Sequence, residues 1–284
     1  MYFSLAKVAL VGQALLSCIA PIVSAQQFQG RLIPNSLPTV GGSEIAYWNV
    51  IDKKGRNMTL TNYFSLDGNG KRLTTSSVKR AVVIIHGLQR DPGTYMANIL
   101  SALSQVPSGA GPSMSNTQII APYFANGDDK NYGFPWNASA PSGNRSYTNA
   151  LVWQGGGWIG GENNQYPSGQ IATSSYDCLD QILVWFANQT MYPNLRQVVI
   201  AGHSAGAQTT QRYAAVGKDL VASQNITQGP DKFRVTFWVA NPNSLLWLNT
   251  SRPLDTSSCS TYDNWRNGLS NYTPTYGSTL VNST

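Results

Sequence analysis

Ser204 sits at the centre of Gly202-His203-Ser204-Ala205-Gly206, directly after the apolar run Val198–Ala201 and directly before a stretch of helical spacing. A serine hydroxyl is a poor nucleophile until a base takes its proton; once activated, it supports acyl transfer from an ester or amide through a covalent intermediate. Strand, sharp turn and helix in that order are the context in which G-x-S-x-G forms a nucleophile elbow. The turn forces the serine into a strained backbone, so its neighbours must be small, and Gly202, Ala205 and Gly206 meet that demand. The competing reading is an ordinary Gly/Ser turn, because so short a pattern also arises by chance.

Acyl transfer also needs donors where negative charge develops on the carbonyl oxygen. Ala205 follows the serine at a helix start, where backbone N–H groups lack intrahelical partners. A second donor is expected from the loop after the apolar run Ala81–Ile85, at the backbone N–H of Leu88. His86, which ends that run, is read as shaping this loop; a tight turn without a catalytic part is the alternative.

The base is the missing piece. Beyond the first 25 residues, and indeed in the whole chain, the histidines are His86 and His203, and none follows Ser204. His203 immediately precedes the serine, where its ring does not ordinarily reach the hydroxyl. Lys218 and Lys232 stand at no spacing that argues for a Ser–Lys scheme. Asp255 and Asp263 are candidate acids, with surface loop charges as the blander reading. The catalytic acid and base are therefore left unknown. No metal-ligand cluster and no phosphate loop is present in the pattern, so neither cofactor nor metal is expected.

These residues need a scaffold, and the rest of the chain describes one. Ile45–Ile51 and Met58–Phe64 alternate as strands around the turn-like Asp52-Lys53-Lys54-Gly55, an antiparallel start to a sheet. Ala81–Ile85 is apolar without alternation, as in a strand buried on both faces. Asp91-Pro92 opens a helical pattern through Tyr95, Met96, Ile99, Leu100 and Leu103. Strands follow at Thr117–Tyr123, Gln197–Ala201 and Phe233–Ala240. Ser174 with Asp177 has capping-box spacing before the apolar stripe Tyr176, Leu179, Ile182, Leu183 and Phe186. Ala205–Val216 is helical, with Gly217 as C-cap. Repeated strand–helix units imply an α/β fold, a mostly parallel sheet with helices on both faces. About 126–168 the periodicity vanishes, and this irregular insertion holds Trp136, Trp153 and Trp158, which either line a substrate mouth or pin the loop.

Composition narrows the class. Hydrophobic residues make up 42% of the 284-residue chain and charged ones 11%, enough for a core and against disorder. Lys7, the apolar stretch Val8–Val23 and the small residues before Gln26 have the layout of a secretory signal peptide at 1–25; a membrane anchor is the alternative, though the stretch is short for a span. Export fits the N-x-S/T sequons at Asn57, Asn137, Asn144, Asn188, Asn225, Asn249, Asn271 and Asn282, which are N-glycosylation candidates. In an oxidising compartment Cys178 and Cys259 either pair or stay separate. The net charge of +6 is scattered, with Lys53, Lys54 and Arg56 the densest cluster and no aromatics interleaved, so a nucleic-acid partner is not expected.

The run Ile84-Ile85-His86-Gly87 before a helix, and Val198–Gly206 followed by Gln208, Gln211, Arg212 and Tyr213, resemble the α/β-hydrolase superfamily. The likeness is greatest to secreted fungal α/β-hydrolase-like proteins. Ser174–Gln181 (SSYDCLDQ), Ala240–Ser244 (ANPNS), Arg252-Pro253 and the spacing Cys259, Tyr262, Trp265, Gly268, Leu269 add to it, over roughly residues 45–270. The resemblance implies a serine hydrolase acting on small-molecule or lipid esters, with Ser204 as nucleophile and Leu88 and Ala205 as oxyanion donors. It also implies further strands bearing the acid and base after the last strand here. Their absence reads as a C-terminally truncated chain at 26–284, with weak or no activity; a non-catalytic, ligand- or partner-binding glycoprotein is the alternative.

Overall fold

In a computed structural model of the chain, the described residues are 28, 30–33, 35–127, 129, 149–167, 173–218 and 233–277. The signal-like segment, Trp136, Lys232 and the sequons at Asn137, Asn144, Asn225 and Asn282 lie outside them.

A six-stranded sheet forms from β1 (Ser43–Ile51), β2 (Asn57–Ser65), β3 (Arg80–Ile85), β4 (Thr117–Pro122), β5 (Gln197–His203) and β6 (Arg234–Ala240), in the spatial order β1-β2-β4-β3-β5-β6. The β1–β2 pair is antiparallel, in register from Ser43 opposite Ser65 to Ile51 opposite Asn57. Its turn is held by Asp52, whose carboxylate accepts the N–H groups of Lys54 and Arg56 and pairs with the Arg56 guanidinium at 2.8 Å. β2 meets β4 antiparallel, while β3–β4, β3–β5 and β5–β6 are parallel.

Helices cover both faces. α1 (Pro92–Ser104) sets Met96 and Leu100 against Ile84, Ile119 and Ala201 on one side. α2 (Ser175–Ala187) and α3 (Ala205–Val216) set Leu179, Ile182 and Tyr213 against Val83, Ile85, Val198 and Ile200 on the other. The α2 capping box forms as its spacing predicts: the Ser174 hydroxyl accepts from Tyr176 N–H, and Asp177 accepts from Ser174 N–H. Within the irregular insertion, Trp153 and Trp158 are fully buried, with Trp153 Nε1 donating to Glu162 O; they pin the loop rather than line a mouth.

Of the two readings left open for the cysteines, the structure has Cys178 and Cys259 as separate free thiols. Cys178 lies inside α2 facing the core, where burial pushes its pKa well up, whereas Cys259 is on an exposed loop. In β6, Phe237 and Trp238 are 37% and 56% exposed, because β6 is the sheet edge among the described residues. The opposite edge is covered: the Gln181 amide bonds both Ile51 N–H and Ile51 O, and Gly30 N–H reaches Tyr47 O.

Candidate active site

β5 runs straight into α3 through Ser204, which holds φ 56° and ψ −121°, a conformation that L-residues rarely adopt. The geometry explains both flanking glycines. A Cβ on Gly202 would overlap the Gly206 carbonyl, and one on Gly206 would overlap the Ile85 carbonyl at the end of β3. The crossing is therefore packed backbone on backbone. Ser204 N–H donates to Ala240 O at 3.0 Å, tying the turn to the end of β6. Its side chain makes no cap bond to α3, and the residue is partly exposed.

Because β3 and β5 are parallel neighbours with Ile85 opposite Gly202, the loop after β3 starts beside the elbow. His86 opens that loop, fully buried. Its Nδ1 lies 2.9 Å from Gly87 O, and Phe124 N–H donates to its Nε2 at 3.0 Å, so the proton is assigned to Nδ1. Burial, and next among the depressing causes the Arg90 charge, draw its pKa down to about 4. With both ring nitrogens engaged and the ring neutral, His86 has no lone pair to offer a serine; it organises the loop.

Leu88 is 60% exposed at the tip. Behind it, Arg90 N–H bonds Gly87 O at 3.1 Å, and the Arg90 side chain bonds Leu88 O at 2.6 Å and both oxygens of buried Asp129 at 2.9 Å. Tyr95, in the first turn of α1, approaches from the other side, its hydroxyl 3.3 Å from His203 Nδ1. Arg90, Asp129 and Tyr95 were not legible as site residues: Tyr95 reads as one of several apolar positions of a helix, and the other two as loop charges.

The remaining described candidates do not converge on Ser204. Lys218 follows α3 at its far end, about 20 Å along the axis from Ser204, and its amine bonds Asp180 at 2.8 Å. Asp263 is taken by Arg252 and Ser270, and exposed Asp255 by Ser257, so both are structural loop charges. Among the described residues no group of acidic, histidine or cysteine side chains is arranged to hold a metal.

No family model matches the chain, and no curated protein matches it. Among solved structures, it is similar to LpqC, a poly(3-hydroxybutyrate) depolymerase from Bordetella parapertussis, at 18% identity and TM-score 0.36 over 78% of this chain and 58% of that one. It is also similar to poly(aspartic acid) hydrolase-1 from Sphingomonas sp. KT-1, at 13% identity and TM-score 0.37 over 81% of this chain and 64% of that one. Siderophore hydrolase EstB from Aspergillus nidulans matches at 13% identity and TM-score 0.32, over 62% and 52%. The chain spans less than two thirds of the length of each. The chain's own strand order, the strained Ser204 turn and the loop between β3 and α1 give it the α/β-hydrolase architecture.

Proposed function

We propose that the chain is an exported serine hydrolase of the esterase kind, acting on small-molecule or lipid esters, in which Ser204 is the nucleophile. The observation that carries this is the strained Ser204 backbone between two glycines that tolerate no Cβ; strain of this kind costs about 1–3 kcal/mol and persists at functional sites. Ser204 Oγ adds to the ester carbonyl and the oxyanion is received by Ala205 N–H and Leu88 N–H. The alcohol then leaves, and water releases the acid from the acyl-serine. No described side chain bonds Ser204 Oγ, so its proton passes to a base from solvent, whose conjugate acid protonates the departing alkoxide. Without such a residue, turnover is expected to be weak, by about 10⁴-fold on the scale of triad losses. Export and glycosylation at the exposed Asn57, Asn249 and Asn271 and the half-exposed Asn188 belong to the same reading. No described helix is long and apolar enough to cross a membrane.

The test is prolonged exposure to a fluorophosphonate with intact-mass readout, beside hydrolysis of short p-nitrophenyl esters, for the chain and for Ser204→Ala. Label at Ser204 with ester turnover lost in the variant supports the reading; no label and identical rates overturn it. The engagement of both ring nitrogens of His86 favours one rival, a non-catalytic glycoprotein of the same fold, which predicts the second result from a stable, monodisperse protein.

A further inference from the structure

We propose that the Arg90–Asp129 pair is the positioning device that aims the Leu88 N–H at the acyl-oxygen site, an inference that rests on the hydrolase reading above. A peptide is planar and trans, so Leu88 N–H points opposite to Gly87 O. Gly87 O is held on the inner side twice, by His86 Nδ1 at 2.9 Å and Arg90 N–H at 3.1 Å. The next peptide is held by the Arg90 guanidinium on Leu88 O at 2.6 Å. Leu88 and Gln89 are themselves exposed, so side-chain packing does not fix this turn. Its orientation comes from backbone acceptors that Arg90 engages.

Arg90 does this at a cost that an ordinary surface arginine would not carry. It holds φ 55°, outside the usual region for a residue with a Cβ. Its side chain is only 13% exposed and its partner Asp129 is fully buried. Asp129 in turn accepts Asn126 N–H at 2.8 Å, and the Tyr123 hydroxyl also reaches it. The positive φ lets the arginine turn its own N–H and its guanidinium back over the same two carbonyls. A buried ion pair, a strained backbone and two carbonyl bonds all meet on one four-residue loop beside the nucleophile. Strain of this sort is retained where geometry matters, and a planar guanidinium fork can hold carboxylate and carbonyl together where an ammonium cannot.

The experiment compares the chain with Arg90→Gly/Asp129→Asn, Arg90→Lys and Ser204→Ala. Ester turnover is measured in imidazole-containing buffer, and amide hydrogen exchange over residues 86–91 is followed by mass spectrometry. The double variant keeps the fold: glycine accepts the positive φ, the two buried charges leave together, and the amide oxygen introduced by Asp129→Asn still accepts Asn126 N–H. It is expected to lose about 10- to 100-fold in kcat with KM within about twofold, as for a misdirected oxyanion donor, while exchange at 86–91 accelerates and the unfolding midpoint stays near that of the parent. Arg90→Lys is expected to lose kcat too. An active parent with unchanged kcat in the double variant overturns the positioning role alone. A parent without Ser204-dependent turnover overturns the hydrolase reading and this role with it.

Discussion

The Tyr95 hydroxyl lies 3.3 Å from Nδ1 of His203, the residue immediately before Ser204. It lies equally close to the other side of the site: a Cβ on Gly87 would come within 2.8 Å of that same oxygen. Burial, and then the nearby Asp91, raise the Tyr95 pKa, so the phenol keeps its proton at neutral pH and shares a hydrogen bond with Nδ1. The first turn of α1 thus bridges the loop after β3 and the end of β5.

The bridge gives His203 a part as a strut, and its place one residue before the elbow is where a ring does not ordinarily reach the serine hydroxyl. His203→Asn is expected to keep Ser204-dependent ester turnover within a factor of about 3, against the ~10⁴-fold loss seen when a triad base is removed. Steady-state kinetics of the variant decide it, and a loss of several orders of magnitude would make His203 the base.

The elbow's strain is measurable as stability. Ser204 at φ 56° and ψ −121° is strained with any Cβ, so Ser204→Ala keeps the penalty and Ser204→Gly relieves it. Urea unfolding should place the glycine variant about 1 kcal/mol or more above the alanine variant, with both lacking turnover. Equal stabilities would mean that the turn relaxes freely and stores nothing.

His86 makes stability fall in acid. Its folded pKa of about 4 lies below its ordinary 6.5, so the folded state refuses a proton that the unfolded chain accepts. The stability is therefore complete above pH 6.5 and is lost as pH falls from 6.5 towards 4, at about 1.4 kcal/mol per pH unit and about 3 kcal/mol in all. His86→Asn, whose amide still reaches Gly87 O, should flatten that part of the pH profile in denaturant titrations from pH 7.5 to 4. An unchanged slope would show that the ring titrates freely.

How much of this was readable beforehand follows from where the forces act. The elbow, the capping box at Ser174 and Asp177 and the faces of α1 and α2 were legible, because backbone sterics and helical periodicity are local. Tyr95, Arg90 and Asp129 were not, since each is placed by a partner 39 or 108 positions away. Trp153 and Trp158 were ambiguous for a similar reason: an aromatic in an irregular stretch reads the same whether buried or lining a mouth. The exposure of β6 was not legible either, because its residues record an apolar pattern, whereas its position at the sheet edge sets how much of that pattern is covered.

The thiols separate the paired from the unpaired reading directly. In the chain without residues 1–25, exposed Cys259 should react within minutes with an aromatic disulfide reagent, and buried Cys178 only after denaturant is added. Two thiols that appear only after reduction would restore the disulfide.

That no described side chain bonds the Ser204 hydroxyl yields the sharpest chemical prediction. If the elbow and both oxyanion donors are assembled and only a proton acceptor is absent, the acceptor can be supplied from solution. Imidazole at neutral pH offers the same lone pair that a histidine side chain would. Ser204-dependent hydrolysis of a p-nitrophenyl ester, taken as the difference between the chain and Ser204→Ala, should therefore rise with imidazole concentration. Subtraction removes the direct attack of imidazole on the ester, which both proteins share. The gain should track the fraction of neutral imidazole, climbing through its pKa near that of free histidine, since general-base catalysis needs the unprotonated form. It should also vanish in Ser204→Gly. A difference rate that stays flat as imidazole is raised would mean that the Ser204 hydroxyl is not presented to the carbonyl, and that the lost function is the nucleophile's placement as well as its base.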